Sequence, residues 1–95
     1  MKSIGEAVKA FIKDTGLNNR AEENRIHEEW QRMAGPDIAE LAKPFKLDAG
    51  SLYLEVENSV VMNEITYKKK VLRARINAYM KKTLVKDIKV RIRQN

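Results

Sequence analysis

Hydrophobic positions change period along the chain, and each change marks an element. Ile4, Ala7, Val8, Phe11 and Ile12 recur at helical spacing. Ser3-Ile4-Gly5-Glu6 has the spacing of a capping box, and Gly16 offers a left-handed stop, so a first helix is expected over about 4–14. Asn18-Asn19 supplies the next N-cap. Ala21, Ile26, Trp30 and Met33 predict a second amphipathic helix over about 20–34, with Glu22, Glu23, Glu28 and Glu29 on its polar faces. Gly35-Pro36 breaks it, and Asp37 to Ala42 reads as a short helix begun by the proline. The period then drops to two. Pro44-Phe45-Lys46-Leu47 and Leu52-Tyr53-Leu54-Glu55-Val56 flank the turn sequence Asp48-Ala49-Gly50-Ser51, which predicts a β-hairpin.

Asn58-Ser59 caps a long helix over about 60–83. Its apolar stripe is Val61, Ile65, Leu72, Ile76 and Tyr79, with Met62 and Met80 at the edge. Ile88, Val90 and Ile92 alternate with Lys89, Arg91 and Arg93 in a last strand over about 88–93 that carries one basic face. The order α-α-(α)-β-β-α-β predicts a small α+β two-layer fold. The 95 residues fit a single domain, 1–95, without internal repeat or linker.

Charge changes this picture more than composition does. Residues 1–58 hold 8 Lys and Arg against 11 Asp and Glu, a balance of −3. Residues 59–95 hold 11 Lys and Arg against 2 acids, a balance of +9. A basic half of this density points to a polyanionic partner. The expected nucleic-acid contacts are Lys68, Lys69, Lys70, Arg73, Arg75, Lys81 and Lys82 on the long helix, and Lys89, Arg91 and Arg93 on the last strand. The two sets form one patch if helix and strand are neighbours. Tyr53, Tyr67 and Tyr79 are the aromatics available for stacking a base, and Tyr67 is preferred to Tyr79, which belongs to the core stripe. No side-chain set reads base edges, so weak sequence preference is expected.

The remaining chemistry is sparse. The sequence has no cysteine and one histidine, His27, which excludes disulfides and thiolate metal sites; no cofactor is expected. No Gly-rich phosphate loop or Ser/His/Asp set is present. Glu28/Glu29 and Glu55/Glu57 lack a nucleophile or pocket for acid–base work, so the reading is not an enzyme. Trp30 is assigned to the core and His27 to the surface. No apolar run reaches the roughly 18–20 residues of a membrane span, and the N-terminal stretch lacks the apolar region of a signal peptide. A cytoplasmic protein is therefore expected.

Several residues together resemble the DciA-like family of bacterial replicative helicase loaders, over about residues 20–93. They are Trp30 followed by Gly35, Ile38 and Ala39; the strand Pro44 to Leu47; Asp48, Gly50, Leu52, Leu54 and Val56; Ser59 with Glu64 and Ile65; Leu72 with Ile76-Asn77; and Ile88 with Arg91. Many members carry Trp where this chain has Val61. The sequence ends two residues after Arg93, which reads as the bare domain without the tail of longer members. The resemblance implies a KH-like domain that binds the replicative DNA helicase and single-stranded DNA and promotes helicase loading. Val60, Val61 and Met62 are the candidate partner-binding edge. No G-x-x-G loop is present, so KH-type clamping of nucleotides is not expected. An RNA-binding KH-like module and a pure protein–protein adaptor are the alternative readings.

Overall fold

The computed structural model describes residues 17–94. The helix expected over 4–14, with its capping box, lies outside the described residues. The described elements are α1 (Leu17–Glu28), α2 (Trp30–Ala34), α3 (Pro36–Leu41), β1 (Ala42–Asp48), β2 (Ser51–Val56), α4 (Ser59–Met80) and β3 (Asp87–Ile92). The strands form one sheet in the order β1-β2-β3, with β1 antiparallel and β3 parallel to β2. This is an α+β fold with the predicted order of elements. The parallel β2–β3 pair follows from the chain between them, because a parallel neighbour needs a crossover and α4 provides it.

The helices cover one face of the sheet. Leu52, Leu54 and Val56 of β2 and Ile88 of β3 are buried together with Ile26, Trp30, Met33, Ile38, Ile65, Leu72 and Ile76. The long helix begins as expected, with the Asn58 side chain accepting from the Val61 amide at 3.0 Å. It ends at Lys81 in the left-handed conformation. Within its stripe Met80, expected at the edge, is buried, whereas Tyr79 and Val61 are only half-buried. Asn77 ties the following loop to the helix. Its Oδ1 accepts from the Leu84 and Val85 amides at 3.1 and 2.8 Å, and its Nδ2 donates to the Val85 carbonyl at 3.0 Å. That anchoring seats Val85 in the core and starts β3 beside β2.

Two expectations need correction. The helix expected over 20–34 begins at Leu17 and is interrupted at Glu29, whose φ of −113° and ψ of 21° leave helical geometry. The break separates α1 from α2 and accompanies the placement of Trp30, whose Nε1 donates to the Ala42 carbonyl at 2.8 Å. A periodicity argument cannot see such a break, because the apolar spacing continues through it. Glu22, expected on a polar face, is buried, with Oε1 2.6 Å from Lys82 Nζ. Burial of a carboxylate is tolerated when a cation from another element reaches it.

Gly35 is needed where α2 gives way to α3. Its φ of +89° and ψ of 151° belong to a region open essentially to glycine alone. A Cβ there would stand 2.8 Å from Asp37 Oδ1 and 2.9 Å from Arg75 Nη1. Arg75 Nη1 also donates to the Ala34 carbonyl at 2.7 Å, so it cannot move aside without losing that bond. Gly35→Ala is expected to cost about 1–3 kcal/mol in urea unfolding. An unchanged midpoint and slope would contradict the assigned role.

Candidate nucleic-acid interface

The hairpin builds one surface and α4 the other. In β1 the register shifts between Pro44 and Lys46, leaving Phe45 as the extra residue of a bulge. Pro44 is tolerated because β1 is an edge strand. The bulge breaks the strict alternation expected from the sequence. Leu47 and Ala42 are buried five positions apart, and Phe45 is turned to the open face of the sheet. There it meets Tyr53 of β2, with ring centroids 5.9 Å apart and planes at 51°. The turn that sets this pairing has positive φ at Ala49 (50°) and Gly50 (85°), as a two-residue hairpin loop of the I′ kind requires.

Cations surround this aromatic pair. Tyr53 pairs with Lys46 on one side and Lys89 on the other. Their ammonium groups lie 5.5 and 5.7 Å from its ring centroid. The Arg91 guanidinium lies 3.7 Å from the Phe45 centroid, and the same group reaches Glu55 Oε2 at 3.1 Å. Phe45, Lys46, Tyr53, Lys89, Val90 and Arg91 line an open depression of about 400 Å³. Sequence reasoning named Tyr53 as an available aromatic but missed Phe45 and Lys46 beside it. The available signal was Tyr53 itself, which alternates with Leu52 and Leu54 and therefore had to face away from the core.

The cations of α4 occupy the other layer. Lys89, Arg91 and Arg93 alternate with the residues that meet α4, so they project from the opposite face of the sheet. The two basic sets therefore do not merge across the domain. Some are also answered by acids, one of them a single helical turn away and two distant in sequence. Lys68 pairs with Glu64 at 3.3 Å, Arg75 with Asp37 at 3.6 Å and Lys82 with Glu22 at 2.6 Å. Lys69, Lys70, Arg73, Lys81, Lys89 and Arg93 have no ion-pair partner among the described residues. Arg73 Nη1 instead donates to the Lys86 carbonyl at 3.1 Å. Tyr67 is 89% exposed and Val60 74%, while Val61 and Met62 pack partly against the core. Val60, Tyr67 and Val71 share one outward stripe of α4.

The acidic residues act structurally. Tyr79 Oη donates to Glu29 Oε1 at 2.6 Å and Arg25 Nε to Oε2 at 2.9 Å. The Tyr79 hydroxyl first, and then Arg25, hold the Glu29 carboxyl below its usual 4.5. A depressed folded-state pKa contributes stability that is complete above the ordinary value and is lost as pH falls through the folded value. Tyr79→Phe should therefore raise the Glu29 pKa toward 4.5 and start acid unfolding at a higher pH. Carboxyl titration by NMR checks this, and an unmoved Glu29 would refute it. Asp37, at the start of α3, is likewise lowered, chiefly by the Ile38 amide. His27 is exposed, with Nε2 3.8 Å from Glu23 Oε1. No group of three or more metal-ligating side chains comes together among the described residues.

The described residues form a small α+β domain with basic side chains on two faces. The chain belongs to the DciA family, "Dna[CI] antecedent, DciA", whose family model matches residues 3–90. This family is related to the loading of the replicative helicase and is not itself a catalytic one. The comparison with curated proteins found no match. Among the described residues no helix is long and apolar enough to cross a membrane.

Proposed function

We propose that this domain is a non-enzymatic, cytoplasmic adaptor of DNA replication that binds the replicative helicase and single-stranded DNA and helps place one on the other. The observation that carries this reading is membership of the DciA family across nearly the whole chain. The cations that lack an acidic partner among the described residues support the DNA half. Phosphate contacts by Lys69, Lys70, Arg73, Lys81, Lys89 and Arg93 would release condensed counterions, and no ion pair among the described residues already satisfies these groups. The helicase half is assigned to the exposed end of α4, where Val60 stands out beside Val61 and Met62. The KH-like reading of the sheet belongs to the same proposal. Without a G-x-x-G loop, the strand is held by side chains and not by a backbone clamp.

The test is co-elution of the purified protein with the replicative helicase of the same organism, with and without a single-stranded oligonucleotide. Stable co-elution supports the adaptor. Absence of any association, under conditions where the protein still binds oligonucleotide, removes the helicase half.

A further inference from the structure

We propose that the open face of the sheet around Phe45 and Tyr53 is a platform on which bases of single-stranded DNA stack. This inference rests on the DNA-binding half of the proposed function and gives it a place and a residue set. Nothing in folding calls for Phe45 to face outward, since Leu47 and Ala42 already supply the buried positions of β1. The bulge places it there, directly beside Tyr53. Among the described residues no helix covers this face, and a base stacking on Phe45 takes the place of the Arg91 guanidinium that lies over that ring; every base has a π-face to lay on the pair. Sheets that present aromatic residues in this way are a recurring device for single-strand recognition.

Charge selects the occupant. Lys46 and Lys89 flank the Tyr53 ring, and neither has an ion-pair partner among the described residues. The acid on this face that stands beside the rings, Glu55, is taken by Arg91, which itself lies over Phe45. A surface of two rings with two available ammonium groups complements a chain that alternates bases with phosphates. An acidic protein segment would use the cations and leave the rings without matching partners. The contacts are to ring faces and phosphates, so binding should be tolerant of sequence.

Tyr53→Leu and Phe45→Leu keep apolar bulk on the strand and remove the π-face. Each is expected to weaken binding of a labelled oligo(dT), measured by fluorescence anisotropy, by about tenfold or more. The slope of affinity against salt should not change, because no phosphate contact is removed. Tyr53→Phe should bind as the unaltered protein does, and helicase co-elution should survive in all three. Unchanged oligo(dT) affinity in both leucine variants overturns the platform and leaves the adaptor reading intact. Failure of the unaltered protein to bind oligo(dT) even at low salt overturns both. Tighter binding of oligo(U) of equal length overturns the assignment to DNA. If a leucine variant melts early, photocrosslinking of an iodouracil-substituted DNA strand to the unaltered protein decides. Crosslinks at Phe45 or Tyr53 support the platform, and crosslinks confined to α4 overturn it.

Discussion

Trp30→Ala is expected to lower stability by about 3–5 kcal/mol, the range for emptying a large aromatic site in a core. Trp30 is 6% exposed, and it sits where α2, the start of β1 and the core meet. The loss has two parts. The ring's packing volume is vacated, and the Ala42 carbonyl loses its donor from Nε1 at 2.8 Å. Trp30→Phe separates them, because it keeps most of the apolar contact and removes the donor. It should cost about 1–3 kcal/mol, the range for stranding a buried polar group. A domain of this size has roughly 5–15 kcal/mol in total. The alanine variant should therefore melt well over 10 °C lower, using about 4–8 °C per kcal/mol for small domains. Calorimetry decides, and a normal melting temperature would remove Trp30 from the core account.

Reversing Lys70, Arg73 and Lys81 to Glu together should weaken single-stranded DNA binding by about two orders of magnitude at 0.15 M salt, taking about 0.7 of a counterion per phosphate contact. The slope of log affinity against log salt should fall by about 2 by the same rule. Arg73 donates to the Lys86 carbonyl, and Lys86 packs at Gly50, so Arg73 stands at the hairpin-tip end of the sheet, between the two layers. A DNA strand leaving the Tyr53 platform past that end would meet Arg73 first and the rest of α4 after it. The double reversal of Lys70 and Lys81 is the cleaner variant, since it disturbs no hydrogen bond given by Arg73. Anisotropy at several salt concentrations reads both affinity and slope. An unchanged slope, with the fold intact by circular dichroism, would take α4 out of the DNA contact. The contrast with the ring variants is diagnostic, because stacking changes affinity at every salt while phosphate contacts change the slope.

The family, the order of elements and the core of this protein were legible in its residues. Helical spacing of Ile65, Leu72 and Ile76, alternation of Leu52, Leu54 and Val56, and turn chemistry at Ala49-Gly50 are local signals, and local geometry obeyed them. The basic balance of residues 59–95 was equally plain, since charge is a property of composition. What the residues could not reveal is whom each side chain meets. Glu22, Asp37 and Glu55 answer Lys82, Arg75 and Arg91 across 60, 38 and 36 positions, which no local pattern encodes. Glu29, at the break between α1 and α2, meets the Tyr79 hydroxyl across 50 positions. The division of the cations between two faces follows from α4 lying on the Ile88 side of β3. Phe45 shows the limit most clearly. Alternation alone puts it on the same side as Leu47, and only pairing with β2, through a one-residue bulge, turns it out beside Tyr53. Sequence periodicity determines which residues can share a face, whereas strand register, a long-range property, decides which face each ring occupies.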